Sequence, residues 1–253
     1  CACCVCALSG RRKIALRRPV PNLVAAADAP PHPIQWCVRP NPVRGGDKAA
    51  SAAPWHFSRL ASAALDEPGR PDAVLAATTE GMLFALNADG STRWSFDAGA
   101  QLNDVVADDL TGDGKDEIIL ARQDGHVQVL SGAGEELWKR ALAYYRRPPY
   151  VNVVRTGDID GDGTPEVIAG GENWRFYAFR ADGTELWNYE SVHPSRSGAI
   201  ADLDGDGKAE VICGTHYYWA SVLNADGQRR WQYSFGPICY DIATGRFDRD
   251  GTR

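Results

Sequence analysis

Three nine-residue segments of this chain, 109–117, 158–166 and 202–210, place oxygen-bearing side chains at positions 1, 3, 5 and 9, with glycines bending the backbone between them. The most regular copy reads Asp202-Leu-Asp204-Gly-Asp206-Gly-Lys-Ala-Glu210 and runs straight into Val211-Ile212-Cys213-Gly214. Clustered carboxylates on a tight wrap suit a hard cation, and calcium takes about six to eight oxygen ligands of this kind. In the 158–166 segment the expected shell is Asp158, Asp160, Asp162, the Thr164 carbonyl and a bidentate Glu166. Asp202, Asp204, Asp206, the Lys208 carbonyl and Glu210 repeat it. Asp109, Thr111, Asp113, the Lys115 carbonyl and Glu117 form a weaker version, because Thr111 replaces a carboxylate. A further copy begins with Asp248 and Asp250. An EF-hand would need a glutamate at position 12 and helices on both sides. Position 12 is Leu120, Ala169 or Cys213, and the flanks read as strands. Plain acidic turns are the simpler alternative, but three copies in one frame weigh against it.

The elements that must hold these loops repeat with them. Position 1 recurs at intervals of 49 and 44 residues, and Trp94, Trp138, Trp187 and Trp231 lie 44, 49 and 44 apart. A small Ala-Asp-Gly or Ala-Gly turn precedes each tryptophan. Within one unit, 104–107, 117–121, 126–130 and 136–139 are short segments rich in β-branched and aromatic residues, separated by Gly/Asp turns. No stretch carries a sustained helical apolar period. Four strands per repeat of this length make a propeller blade. The fold class expected is all-β, a β-propeller with blades at about 57–98, 102–142, 150–190 and 196–235 and a fifth starting at Ile238.

The pattern Asp-x-Asp-Gly-Asp-Gly-x-x-Glu-Val-Ile-x-Gly, followed by a hairpin and Ala-Asp-Gly-x-x-x-Trp, resembles the FG-GAP/VCBS repeat over roughly residues 57–253. That resemblance implies a calcium-binding propeller of the kind found in integrin α-subunits. In the first blade the aligned positions are Ala64, Asp66, Pro68 and Asp72, too few ligands for a metal. Four blades and the start of a fifth fall short of a closed ring, so the chain is expected to be a fragment of a longer protein. The tryptophan segments also resemble the docking motif of quinoprotein propellers. No cofactor ligands accompany them, and the rings are expected to staple neighbouring blades.

The formal charge of −6 is uneven: residues 1–54 sit near +6 and the remainder near −12. An acidic body disfavours nucleic acid as a partner. Residues 1–54 hold eight of the fifteen prolines and five of the seven cysteines, and are expected to be disordered. They contain no recognisable signal peptide, and no run is long and apolar enough to span a membrane. Cys213 and Cys239 fall in adjacent blades, where either a disulfide or two buried thiols would fit. Calcium affinity on the order of 10⁻⁴–10⁻³ M suits an extracytoplasmic setting.

Blade topology puts the acidic loops on one face with the Ala-Asp-Gly turns. The opposite face receives Tyr145, Arg146, Arg147 and Tyr150 from the segment 144–150, which contains a five-residue insertion, and Trp174, Arg175, His216, Tyr217 and Tyr218 from strand 2–3 turns. His193 and Arg196 come from a connector between blades. Rings and guanidinium groups gathered on one rim suit a glycan or an acidic protein partner. The plain alternative is that these aromatics merely cover blade ends. A binding module is the favoured reading. A polysaccharide lyase using His193 or His216 as base is the alternative; no paired catalytic carboxylates stand outside the acidic loops.

Overall fold

A computed structural model of the chain describes residues 55–236 and 238–245. The basic segment 1–54, Asp248 and Asp250 lie outside the described residues.

Sixteen strands form four sheets. Blade I holds β1 (Phe57–Ala63), β2 (Ala73–Thr78), β3 (Met82–Asn87) and β4 (Thr92–Asp97). Blade II holds β5 (Leu102–Asp108), β6 (Glu117–Arg122), β7 (His126–Leu130) and β8 (Glu136–Ala141). Blade III holds β9 (Val151–Gly157), β10 (Glu166–Gly171), β11 (Arg175–Phe179) and β12 (Glu185–Glu190). Blade IV holds β13 (Ser195–Ala201), β14 (Glu210–Thr215), β15 (Tyr218–Leu223) and β16 (Arg229–Gly236). Every sheet is antiparallel in plain sequential order, with β1, β5, β9 and β13 packed side by side. Among the described residues no helix is long and apolar enough to cross a membrane.

The core lies between blades, which explains the continuous apolar runs of the second strands. Successive side chains on a strand point to opposite faces, and here both faces are covered. Ile118 and Leu120 on β6 pack, with Leu102 of their own blade, against Leu75 and Leu83 of blade I. Ile119 and Ala121 on the same strand pack toward blade III with Val154, Val167 and Phe179. Blades III and IV repeat the arrangement with Ile168, Phe176, Val211 and Leu223. Cys213 and Cys239 are both buried free thiols.

The tryptophans staple the blades. The Trp138 Nε1–H donates to the Ala181 carbonyl at 2.7 Å, and the Trp187 Nε1–H donates to the Ala225 carbonyl at 2.7 Å. Trp94 does the same to Gly132 at 3.1 Å. Each ring covers the glycine of the next blade's turn: a Cβ on Gly183 would stand 2.8 Å from the Trp138 ring. Gly183 also has φ of +80°, so the turn needs glycine for conformation and for clearance.

A β-bulge recurs where the fourth strand leaves its turn. Ala85 pairs with Trp94 but Leu86 with Thr92, and Val222 pairs with Trp231 but Leu223 with Arg229. Blades II and III carry the same shift. The extra residue is Arg93, Leu137, Leu186 or Arg230 in turn.

Candidate functional site

The two faces differ in how they are built. On the acidic face the loops fold by their own hydrogen bonds. Asp158 accepts from the N–H groups of Gly161 at 2.7 Å, Asp162 at 3.2 Å and Gly163 at 2.9 Å. Asp109 accepts from Gly112, Asp113 and Gly114 in the same way. The closing glutamate reaches back to position 2: Glu117 accepts from Leu110 N–H at 3.0 Å, Glu166 from Ile159 N–H at 3.0 Å and Glu210 from Leu203 N–H at 2.8 Å. All three glutamates are buried.

The copies differ in the carboxylates they bring together. Asp158, Asp160 and Glu166 each offer an oxygen, and the three atoms lie within 4.8 Å of one another. This set joins a buried glutamate to two half-buried aspartates, a donor set that fits calcium. Asp202, Asp204 and Asp206 converge to the same limit, but all three are exposed and Glu210 stays out of the cluster. Its Oε1 instead accepts from Arg230 at 2.9 Å. Among the described residues the 109–117 copy assembles no such trio. Burial pushes the Glu166 carboxyl above its ordinary value of 4.5; the Ile159 N–H opposes this and the charges of Asp160, Asp162 and Asp158 add to it. Burial likewise raises Glu117.

On the opposite face eight of the eleven residues singled out from the sequence join in one run of rings and cations. The Arg175 guanidinium lies 4.2 Å from the Tyr145 ring centre, and Arg146 lies 5.3 Å from Tyr145 and 5.7 Å from Trp174. Trp174 meets His193 at 5.7 Å, and His193 meets Tyr217 at 5.6 Å and Tyr218 at 5.9 Å. His216 closes the run against Tyr217 at 4.6 Å. Burial and the nearby His216 hold the His193 imidazole below its ordinary 6.5. The other three stand apart. Arg147 pairs with Glu172 at 2.9 Å, Arg196 stacks on Tyr240 at 5.8 Å, and Tyr150 makes none of the ring contacts.

Backbone strain is concentrated beneath this run. In blades I and II the strand 2–3 turn uses Gly81 at φ +91° and Gly125 at φ +87°. The same turn position is Trp174 at φ +66° in blade III and Tyr218 at φ +65° in blade IV. Val192, at φ +67°, takes the connector position held by Gly99 and Gly236 in blades I and IV. Arg146, at φ +58°, lies in the insertion. These four are all the non-glycine residues with positive φ among the described residues. A left-handed conformation costs a bulky residue about 1–3 kcal/mol and tends to persist where a site requires it. Trp174 Nε1 is also buried without a hydrogen-bond partner. Sequence reasoning named Trp174 and Tyr218 as surface rings but missed their conformation; the missing glycine at a repeated turn position was the available signal.

The sequence profile of the lambda-carrageenase β-propeller domain matches residues 73–146, and that of the FG-GAP-like repeat matches residues 158–213. The chain is a β-propeller that carries an FG-GAP-like repeat over residues 158–213. Two crystal structures of BBS1N in complex with ARL6DN, one soaked with lead and one with mercury, superpose on this propeller with TM-scores of 0.57 and 0.62 at 16% identity. They cover 76% and 84% of the chain, which spans 60% and 61% of theirs. At that identity the likeness concerns the fold alone. Among curated proteins none matches the propeller's sequence. A propeller is a scaffold, and its chemistry lies in the side chains it displays.

Proposed function

We propose that this propeller is an extracytoplasmic binding module, fastened by calcium on one face and holding a glycan on the other. The observation that carries the glycan reading is the pair of rings, Trp174 and Tyr218, held in conformations that sister blades assign to glycine. Aromatic faces stack on sugar rings, and Arg146 and Arg175 beside them would favour acidic substituents. The direct test is titration of neutral and sulfated or uronate polysaccharides into the propeller by calorimetry. Tyr218 is half exposed, so Tyr218→Gly removes a ring at little cost in packing and relieves strain. It is expected to hold or raise the melting temperature while weakening glycan affinity about tenfold. Unchanged affinity would remove the glycan reading, and binding of a protein but no polysaccharide would replace it.

Calcium in the 158–166 loop is supported by the converging carboxylates of Asp158, Asp160 and Glu166. There the ion would neutralise carboxylates that otherwise repel one another. The Glu166 carboxyl is raised in the fold, so the folded state holds its proton more tightly than the unfolded chain. Its contribution to stability falls as pH rises from 4.5 through the raised value. In chelator, therefore, Glu166→Gln should gain on wild type as pH climbs through that window and equal or exceed it at neutral pH. Added calcium should reverse the order by restoring wild type alone. Melting curves across pH, with and without calcium, read this directly; a wild-type curve indifferent to calcium at neutral pH would sink it.

A second reading is favoured by the match of residues 73–146 to the lambda-carrageenase propeller. Under it the same face acts on a polysaccharide, with the largely neutral His193 able to accept a proton. Release of shorter saccharides from a polysaccharide by wild type, lost in His193→Ala, would turn the binding module into a carbohydrate-active enzyme.

A further inference from the structure

The bulged residue ahead of each tryptophan divides the blades into two kinds. It is Arg93 in blade I and Arg230 in blade IV, but Leu137 in blade II and Leu186 in blade III. A bulge re-aims its side chain, and in both arginine blades the guanidinium reaches the acidic loop of its own blade. Arg230 Nη1 lies 2.7 Å from Asp204 Oδ2 and 2.9 Å from Glu210 Oε1, bridging positions 3 and 9 of the loop. Arg93 makes the corresponding looser bridge in blade I, with Nη1 3.1 Å from Asp66 and Nη2 3.5 Å from Asp72. Asp66 and Asp72 also stand at positions 3 and 9. The Arg93 Nη1 contact is an ion pair without hydrogen-bond alignment.

We propose that Arg93 and Arg230 are built-in counter-ions that replace the loop cation in blades I and IV. Positions 3 and 9 are the carboxylates a bound ion must draw together. In blade IV both Glu210 oxygens are already committed, Oε2 to Leu203 N–H and Oε1 to Arg230. The 202–210 loop, the most regular calcium motif in the sequence, is thereby made independent of a metal. Blade III has leucine at the bulge. Among the described residues the ion pair this loop makes is Arg180 to Asp160 at 3.9 Å, and none reaches Glu166, so the Asp158, Asp160 and Glu166 set is left to an external ion. Blades I and IV thus carry loops closed by the chain's own arginine, and blade III a loop closed from solution.

This rests on the calcium reading of the 158–166 loop, and the test separates the two. Calcium is titrated by calorimetry into the full chain, and melting is followed in chelator and in calcium. Arg230→Leu, which copies Leu137 and Leu186, is expected to bind one more calcium per chain than wild type and to lose several degrees of melting temperature in chelator alone. Adding Glu210→Gln to it should recover part of that loss. Leu186→Arg, which transplants the counter-ion into blade III, should bind one calcium fewer and melt at the same temperature with or without the ion. It also serves if Arg230→Leu fails to fold. If no protein binds calcium but Arg230→Leu is weakened and Glu210→Gln rescues it, the calcium reading falls and the counter-ion stands. If Arg230→Leu matches wild type in stoichiometry and in chelator, or Asp206→Asn abolishes a calcium site in wild type, the proposal is overturned.

Discussion

Asp104→Ala is expected to destabilise the propeller by about 3 kcal/mol, the lower end of the cost of breaking a buried ion pair. Asp104 is 1% exposed on β5 and joins three blades at once. Its Oδ1 accepts from Arg59 Nε of β1 at 2.6 Å, and its Oδ2 accepts from Arg155 Nη1 of β9 at 2.8 Å. The Val154 N–H points to the same oxygen at 3.3 Å. Alanine leaves these donors in a space that water reaches poorly, and an unpaired buried donor costs more than a formed bond contributes. Both guanidinium groups keep some solvent contact, Arg59 at 49% and Arg155 at 25% exposure, which sets the estimate at the low end. Urea unfolding of wild type, Asp104→Ala and Asp104→Asn measures it. Asparagine retains an acceptor and should lose about half as much. A loss below about 1 kcal/mol for alanine would mean that the arginines resolvate fully, as surface pairs do.

Trp138→Ala is expected to cost about 3–5 kcal/mol, the range for truncating a large buried aromatic. Trp138 is 8% exposed, packs against Phe179 with ring centres 6.0 Å apart, and donates to Ala181 across the blade boundary. The loss should fall on the contact between blades II and III. Trp138→Phe keeps most of the apolar area but loses the Nε1–H bond, and should cost about 1 kcal/mol beyond the smaller ring's packing. Gly183→Ala attacks the same joint from the other side, through the clash with the ring and the strain of φ +80°. The two single losses should therefore not add in Trp138→Ala/Gly183→Ala. Denaturant midpoints of the four proteins give the coupling, and full additivity would show that ring and glycine act independently.

Much of this architecture was legible in the chain because it is written in short-range terms. Residues 118–121 of β6 read as a continuous apolar run because both faces of the strand are buried between blades. The Ala-Asp-Gly turns and their tryptophans repeat because each ring needs a glycine beneath it in the next blade. The strand expected at 126–130 is β7 with those bounds, while the inner strand expected at 104–107 extends to Leu102–Asp108. Strand ends move by a residue or two because they depend on which neighbour is present to accept a hydrogen bond.

The sequence by itself determined the blades, their period, the loops' carboxylate frame and the sorting of loops to two faces. Each follows from an alternation, a turn residue or a spacing within about fifty positions. Only the tertiary structure decided which charges meet. It placed Asp104 between Arg59 and Arg155, from three separate blades, although nothing local to Asp104 marks it as a junction. It set Trp174 and Tyr218 in left-handed turns, where the rings join His193 from a different connector. It gave Glu210 to Arg230, twenty residues away, while leaving Glu166 among aspartates. The acidic loops are near-identical as text, but the counter-charge of Asp204 and Glu210 arrives from a β-bulge on another strand. A motif fixes the positions of the ligands; only the folded sheet fixes whether a cation of the chain has already reached them.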